Sequence, residues 1–338
     1  MFMGYIKLSK DAFFHNLKEV EKKVKKKDKI AIVIKDNAYG HGLLEIANLS
    51  KEFGIKRAVV RNICEAKRVE NIFDYILVLA DIPNSLKNFH FAINSLEDIK
   101  KFPKGSFVEL KVDTGMHRSG IAIDDLKRAF LMIKEAKLNL KGVFTHYRSA
   151  DELSSELFWQ KKNFEKIKYI SLKLAKEYGF KLLFHSFNSA SLFRSNSFDE
   201  DFARVGIAVY GYLEMDDIFI KPNLKPVLSL WAKRVSKRVL KKGQRVGYGG
   251  VFEADKDMIV STYDIGYADG FFRVDKKEYI LPDGYKIAGR VSMDNMSVIC
   301  DKEQICILDN AKDASGFFNT ISYEILVKLS PFLKRVIV

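Results

Sequence analysis

The sequence predicts an α/β chain. A TIM-type (β/α)8 barrel is expected over residues 1–221, followed by a smaller, mostly antiparallel β domain over 222–338. Three observations predict this. Short runs rich in Val, Ile, Leu and Phe recur between residues 30 and 210 and alternate with segments of helical spacing. No GxGxxG turn follows an early strand, so an open dinucleotide-binding sheet lacks its usual signature. After Lys221-Pro222 the alternation stops, and strand-like runs are punctuated by turns such as Lys241-Lys242-Gly243 and Pro282-Asp283-Gly284.

In chain order, residues 1–8 read as a short strand ahead of any βα unit. The sequence leaves open whether it packs with the barrel or with the β domain. Ser9 is placed to cap a helix running from about residue 10 into the lysine-rich stretch 21–29. Ile30-Ala31-Ile32-Val33-Ile34 reads as a buried parallel strand, and residues 43–53 as a helix stopped by Gly54. Further strands are expected at 58–60, 76–79, 91–94, 107–112, 142–146, 182–187 and 203–210. Helices are expected at 65–73, after Ser95, at 124–137, and in a long stretch ending near Gly179. Eight strands in repeated βα units imply parallel pairing, right-handed crossovers and closure into a barrel. In the second domain a single helical stretch is expected, near 323–329.

A chain of 338 residues with 47% hydrophobic and 30% charged residues has the composition of a globular protein with more than one core. The formal charge of +14 invites a nucleic-acid reading, but the basic residues are interleaved with Asp and Glu except in 21–29, a solvated helix end. Nucleic acid is therefore not expected as a partner. Cys64, Cys300 and Cys306 show no metal spacing, and neither a metal site nor a disulfide framework is expected. No run reaches membrane-spanning length and no signal-peptide core is evident, so a cytoplasmic protein with no membrane partner is expected.

The chain is organised around Lys35-Asp36-Asn37-Ala38-Tyr39-Gly40-His41-Gly42. A lysine at the mouth of a buried strand loses hydration, which favours the neutral amine that Schiff-base chemistry requires. Tyr39 can turn its hydroxyl to the same place, and Gly40 and Gly42 allow close backbone approach to a ligand. Barrel enzymes work at the carboxyl ends of their strands, with phosphate near the loops after strands seven and eight. His146 falls at the end of predicted strand six and Asn188 and Ser189 after strand seven. Arg204, Gly206 and Ile207 fall at strand eight. Each alone is explained by packing or capping; together, on one face, they suit a phosphate dianion.

The octapeptide at Lys35 resembles the cofactor-lysine motif of alanine racemases, which carry pyridoxal 5′-phosphate (PLP) on that lysine. The resemblance extends over nearly the whole chain. Lys111-Val112-Asp113-Thr114-Gly115-Met116-His117-Arg118 is similar to the segment holding a structural lysine, often carbamylated, and a substrate-carboxylate arginine. Phe144-Thr145-His146-Tyr147 resembles the segment whose histidine packs on the cofactor ring. His185-Ser186-Phe187-Asn188-Ser189-Ala190 resembles the phosphate-serine segment, and the stretch around Arg204 resembles that of the arginine meeting the pyridine nitrogen. Arg245-Val246-Gly247-Tyr248-Gly249-Gly250 is similar to the catalytic-tyrosine segment, and the stretch around Tyr267 to that of an entrance tyrosine. The segments holding Met293 and Asp294, and Tyr323, complete the set. Asp36 and Arg148 depart from the residues common at their places, which bears on substrate preference and rate.

The resemblance implies racemisation of L- and D-alanine, with D-alanine destined for peptidoglycan. It implies two acid–base groups, Lys35 on one face and Tyr248 from the partner subunit on the other, hence a homodimer. It further implies substrate binding by Arg118, Met293, Asp294 and Tyr267. PLP would be held by Lys35, Tyr39, His146, Asn188, Ser189, Arg204, Gly206, Ile207 and Tyr323. Arg204 can act only as a donor toward the pyridine nitrogen, which keeps that nitrogen unprotonated and the ring a weaker electron sink. That favours a racemase over the related barrel-type decarboxylases, while a racemase for another small amino acid such as serine stays open.

Overall fold

A computed structural model describes residues 4–274 and 278–338. The first three residues of the predicted strand 1–8 lie outside the described residues. Two compact units are present. One comprises Phe14–Asp36 and Ile46–Leu224; the other comprises residues 4–13, Asn37–Glu45 and Lys225–Val338.

Strand β1 (Tyr5–Leu8) and helix α1 (Lys10–Val24) come first in the chain. The barrel unit then alternates as the hydrophobic runs predict. Strand β2 (Ile30–Val33) leads through the short turn α2 (Lys35–Tyr39) to helix α3 (Leu43–Phe53). Then follow β3 (Arg57–Val60), α4 (Ile63–Val69), β4 (Tyr75–Val78), β5 (His90–Ile93), β6 (Phe107–Lys111) and α5 (Leu126–Glu135). The series ends with β7 (Asn139–Phe144), α6 (Glu156–Tyr178), β8 (Leu183–His185), α7 (Ser189–Arg194) and β9 (Ala203–Val205). These strands form one eight-stranded parallel sheet in the order β8-β7-β6-β5-β4-β3-β2-β9. The last strand turns back to pair with the first, Ala31 opposite Arg204. Across the remaining seam the Arg204 N–H donates to the Phe187 carbonyl at 2.9 Å and the Asp201 N–H to the Phe184 carbonyl at 3.1 Å. The sheet is thereby a nearly closed barrel. All four residues of β2 are buried, as expected of a strand covered on both faces.

Several predicted boundaries shift. The helix expected at 65–73 begins earlier, because Asn62 caps it by accepting the Glu65 N–H. The helix expected after Ser95 is only a 3-10 turn, Ile99–Lys101, and the one at 124–137 is shortened by a 3-10 start at Ile123–Asp125. Predicted strands 142–146, 182–187 and 203–210 end at Phe144, His185 and Val205. Beyond these ends Thr145 bonds the Val112 carbonyl, Ser186 bonds Glu200, and Ile207–Tyr210 winds into a 3-10 turn.

The second unit is built on the long strand β10 (Leu228–Leu240). It continues with the hairpin β11 (Arg245–Val246) and β12 (Phe252–Glu253), then β13 (Met258–Tyr263), β14 (Met296–Val298), β15 (Gln304–Leu308), helix α8 (Ala311–Phe318), helix α9 (Ser322–Val327) and β16 (Lys334–Ile337). The sheet order is β14-β13-β10-β1-β16, with β15 also on β10. Every pairing is antiparallel except β1 with β16. Strand β1 thus fills the position between β10 and β16. Strand β10 pairs with β15 over residues 230–233 and with β13 over 234–240, the latter with a register shift between Arg234 and Ser236. Two helices replace the single one expected. Helix α8 starts at Asn310, whose side chain accepts the Lys312 N–H.

Candidate active site

Ile34 continues the β2 pairing by donating its N–H to the Val59 carbonyl at 2.9 Å, and Lys35 follows at the strand's carboxyl end. The backbone then does something the sequence did not foretell. Asp36, Asn37, Ala38 and Tyr39 all take φ between 52° and 55°, a left-handed turn of four non-glycine residues, before Gly40 at φ 80°. Such residues cost on the order of 1–2 kcal/mol each relative to the right-handed form. The turn is closed by the Gly42 N–H on the Asn37 carbonyl (2.9 Å), and the Asn37 side chain accepts the Leu43 N–H to start α3. Asp36, one of the two departures, pairs with Arg61 at 3.1 Å.

Within the barrel, Arg204 is 6% exposed, and its guanidinium is fixed from several sides. Nη1 donates to His185 Nδ1 (2.5 Å) and to the His185 carbonyl (2.7 Å); Nη2 donates to the Thr145 carbonyl (2.6 Å) and the Ser186 carbonyl (3.4 Å). The Nε–H is the donor left over. Behind Arg204, His185 Nε2 donates to Glu109 Oε2 at 2.6 Å. Glu109 Oε1 accepts from the Tyr75 hydroxyl (2.5 Å) and His90 Nδ1 (2.7 Å). Burial opposes the charged form of Glu109, but His185 and His90 hold its carboxyl well below the usual range. Burial lowers His185 to about 4, so the ring is neutral. Sequence reasoning missed Glu109, Tyr75 and His90, and assigned His185 no role of its own. The available signal was ionisable residues inside otherwise apolar strands, which must be paired when buried.

His146 lies two residues past β7 and is partly buried. Desolvation, followed by Arg204, Arg118, Lys111 and Lys35, lowers it to about 3. Lys111 closes β6, with Nζ donating to Ser119 Oγ at 2.6 Å; burial, then Arg118 and Arg204, push it down to about 8. Arg118 itself is exposed. Its loop is shaped by Asp113, whose carboxylate accepts the N–H groups of Gly115, Met116 and His117 at 2.9–3.2 Å. Arg148, the other departure, donates to the Gly115 carbonyl (2.7 Å) and pairs with Glu156, so it braces this loop. Ser189 is buried, and its Oγ accepts the N–H groups of Gly206 (3.3 Å) and Ala208 (3.4 Å), which flank Ile207. The Asn188 side chain is committed to capping α7 through the Ser191 N–H and to the Tyr147 carbonyl.

The barrel residues fit PLP and an amino acid on their chemistry. Lys35, Lys111, Arg118 and Arg204 all bear on one neutral histidine, a cationic excess that calls for an anionic ligand. Ser189 with two loop N–H groups suits a phosphate, and one remaining Arg204 donor suits an unprotonated ring nitrogen. Among the described residues no group of His, Cys, Asp and Glu is arranged to hold a metal.

The other unit carries the remaining site candidates. The Tyr39 and Tyr323 rings lie 5.9 Å apart. A Cβ on Gly40 would come within 2.0 Å of the Leu326 carbonyl, and one on Gly270 within 2.1 Å of the Lys328 carbonyl. Tyr267 donates its N–H to the Ser292 carbonyl (3.1 Å) and Ala268 to the Met293 carbonyl (2.9 Å), which brings Tyr267 beside Met293 and Asp294. Tyr267, Met293 and Tyr323 are each at least one-third exposed. Tyr248 stands apart from these hydrogen bonds, 66% exposed on the turn joining β11 and β12.

Residues 8–214 match the alanine racemase N-terminal domain and residues 227–337 the alanine racemase C-terminal domain. The chain is 52% identical to the alanine racemase of Nitratiruptor sp. over 98% of its length and 99% of that protein. Its fold superposes on the alanine racemase of Clostridium difficile 630 with TM-score 0.90 and 27% identity, covering 100% of this chain and 96% of that one. A histidine racemase from Leuconostoc mesenteroides shares the fold with TM-score 0.82 and 25% identity, over 100% and 98% of the two chains. Both halves are present in order, and the chain belongs to the alanine racemase family, isomerases that act on amino acids.

Proposed function

We propose that this chain interconverts L- and D-alanine with PLP, working in the cytoplasm as a homodimer and supplying D-alanine for peptidoglycan. The observation that carries the reading is the convergence of four cations, Lys35 among them, on a neutral His146 beside the immobilised Arg204. PLP supplies, when bound, an electron-withdrawing ring that acidifies the substrate's α-hydrogen. Lys35 Nζ would hold the cofactor and, once the substrate's amino group has displaced it, would exchange the α-proton on one face. The partner subunit's Tyr248 holds or accepts the proton on the opposite face, which is how inversion follows from two bases. A phenol yields its proton near neutrality only when cationic neighbours favour phenolate, and the His146–Arg204 side of the barrel offers such neighbours. The exposure of Tyr248 on its own unit supports action in trans.

Ser189, Gly206, Ile207, Tyr39 and Tyr323 would hold the phosphate, with Asn188 shaping that loop and His146 against the ring. Arg118 and the Met293 N–H would take the substrate carboxylate, with Asp294 alongside. Tyr267 and Tyr323 would restrict the side chain. Lys111, pushed down to about 8, has enough neutral amine to add to CO2, forming an N–C bond and releasing a proton. The resulting carbamate would orient Arg118. Because a histidine racemase shares the fold, alanine preference rests on the closer relative, and serine is the first alternative substrate to assay. The decarboxylase alternative is disfavoured by Arg204, which cannot protonate the ring nitrogen.

Subunit complementation tests the arrangement. Lys35→Ala and Tyr248→Phe are each expected to lose nearly all racemisation, Tyr248→Phe while retaining PLP. Hybrid dimers of the two variants recover activity if Tyr248 acts across the interface, because one site then has both groups intact. Hybrids as inactive as their parents, with mixed dimers verified by tag pull-down, would contradict action in trans.

A further inference from the structure

We infer that Glu109 is a positioning residue: acting through His185, it fixes the Arg204 guanidinium and thereby the single donor Arg204 has left to present. Its kinetic consequence rests on the proposed PLP chemistry; its structural half does not.

The proton count leaves little freedom. A guanidinium has only donors, so His185 Nδ1, 2.5 Å from Arg204 Nη1, must accept. The ring's one proton is then on Nε2, 2.6 Å from Glu109 Oε2, and an ionised carboxylate is acceptor-only. Glu109 therefore selects the Nε2–H tautomer. It cannot swing away, because Tyr75 and His90 both donate to its other oxygen. The imidazole cannot turn either, stacked 4.9 Å from Phe144 and 4.2 Å from Phe202. Glu109 and His185 are 0% exposed, so no solvent substitutes for a missing partner. Were the proton on Nδ1, two donors would face each other and Arg204 would have to move.

A carboxylate at this place is not explained by stability. Desolvating it is costly, and an apolar side chain of similar volume often serves a core equally well. Glu109 also supplies negative charge one imidazole away from the buried Arg204. The other buried acid nearby, Glu200, bonds the Ser186 N–H and Oγ and likewise favours the charged guanidinium. The network therefore sets the direction of the group expected to face the ring nitrogen.

The test pairs nitrogen-15 histidine NMR on the full chain, with and without PLP, with kinetics of Glu109→Gln. The unsubstituted protein should show His185 as the Nε2–H tautomer in both states. An Nδ1–H signal would overturn the proposal without any variant, even if Glu109→Gln failed to fold. A glutamine can turn its NH2 toward Nε2, so the variant should show a mixed or inverted tautomer. Its kcat should fall about tenfold or more with KM for alanine within about twofold. In an Arg204→Lys background the same change should alter kcat by less than about twofold, since the route through Arg204 is already broken. An equal loss in both backgrounds, or an unchanged tautomer and kcat, would overturn it. If the unsubstituted chain forms no D-alanine, the proposed function fails, and the tautomer signals still decide this inference.

Discussion

Lys111 and His146 answer the same group of cations in different ways. His146 is driven to about 3 and stays neutral, suited to pack against a ring; Lys111, at about 8, is poised between ammonium and amine. Under carbon-13 bicarbonate at pH 8, a carbamate resonance is expected that vanishes on acidification and in Lys111→Ala. No such resonance in the unsubstituted protein would remove the modification from the account. At this scale the sequence was most legible where chemistry sits at strand ends. Lys35, Ser189 and Arg204 could be placed because a barrel strand's carboxyl end is a known location. Glu109, His90 and Tyr75 escaped because a polar residue inside an apolar strand gives no hint of its partner when that partner is many residues away. Asn188 has a role the sequence did not show: its side chain caps a helix by accepting the Ser191 N–H.

Among the elements, the left-handed turn after Lys35 carries the most strain. It persists because its surroundings determine it, above all Gly40 against the Leu326 carbonyl. Gly40→Ala combines a forbidden approach of 2.0 Å with φ 80° and is expected to cost more than about 1 kcal/mol of stability, read as a lowered thermal midpoint. An unchanged midpoint would mean that the turn is not clamped. The alternation of strands and helices was legible, since apolar runs and helical spacing follow from burial alone. Four successive residues of positive φ were not, because only Gly advertises that conformation. Helix α8 was missed for a related reason: its start depends on the Asn310 cap more than on a hydrophobic period.

For the whole molecule, the buried neutral histidines predict acid sensitivity. His41 and His146 are lowered from 6.5 to about 3 and His185 to about 4, burial being the main cause of each. The unfolded chain takes up protons on them as pH falls through about 6.5 while the folded chain does not, so folding loses stability. The thermal midpoint should be level above about pH 7 and decline between about 6.5 and 5; a level midpoint across that window would contradict the assignment. Two-unit organisation was legible from the change of texture near residue 221. That residues 4–13 and Asn37–Glu45 cluster with Lys225–Val338 was not, since the strand pairing of β1 is set by partners more than two hundred residues away. The central claim, a two-base alanine racemase, is tested most directly by incubating the PLP-loaded protein with L-alanine in D2O. D-alanine on a chiral column, carrying deuterium at Cα by NMR, is the result this account predicts. Wash-out of the α-proton without any D-alanine would contradict it, leaving Lys35 active on one face and no acid on the other.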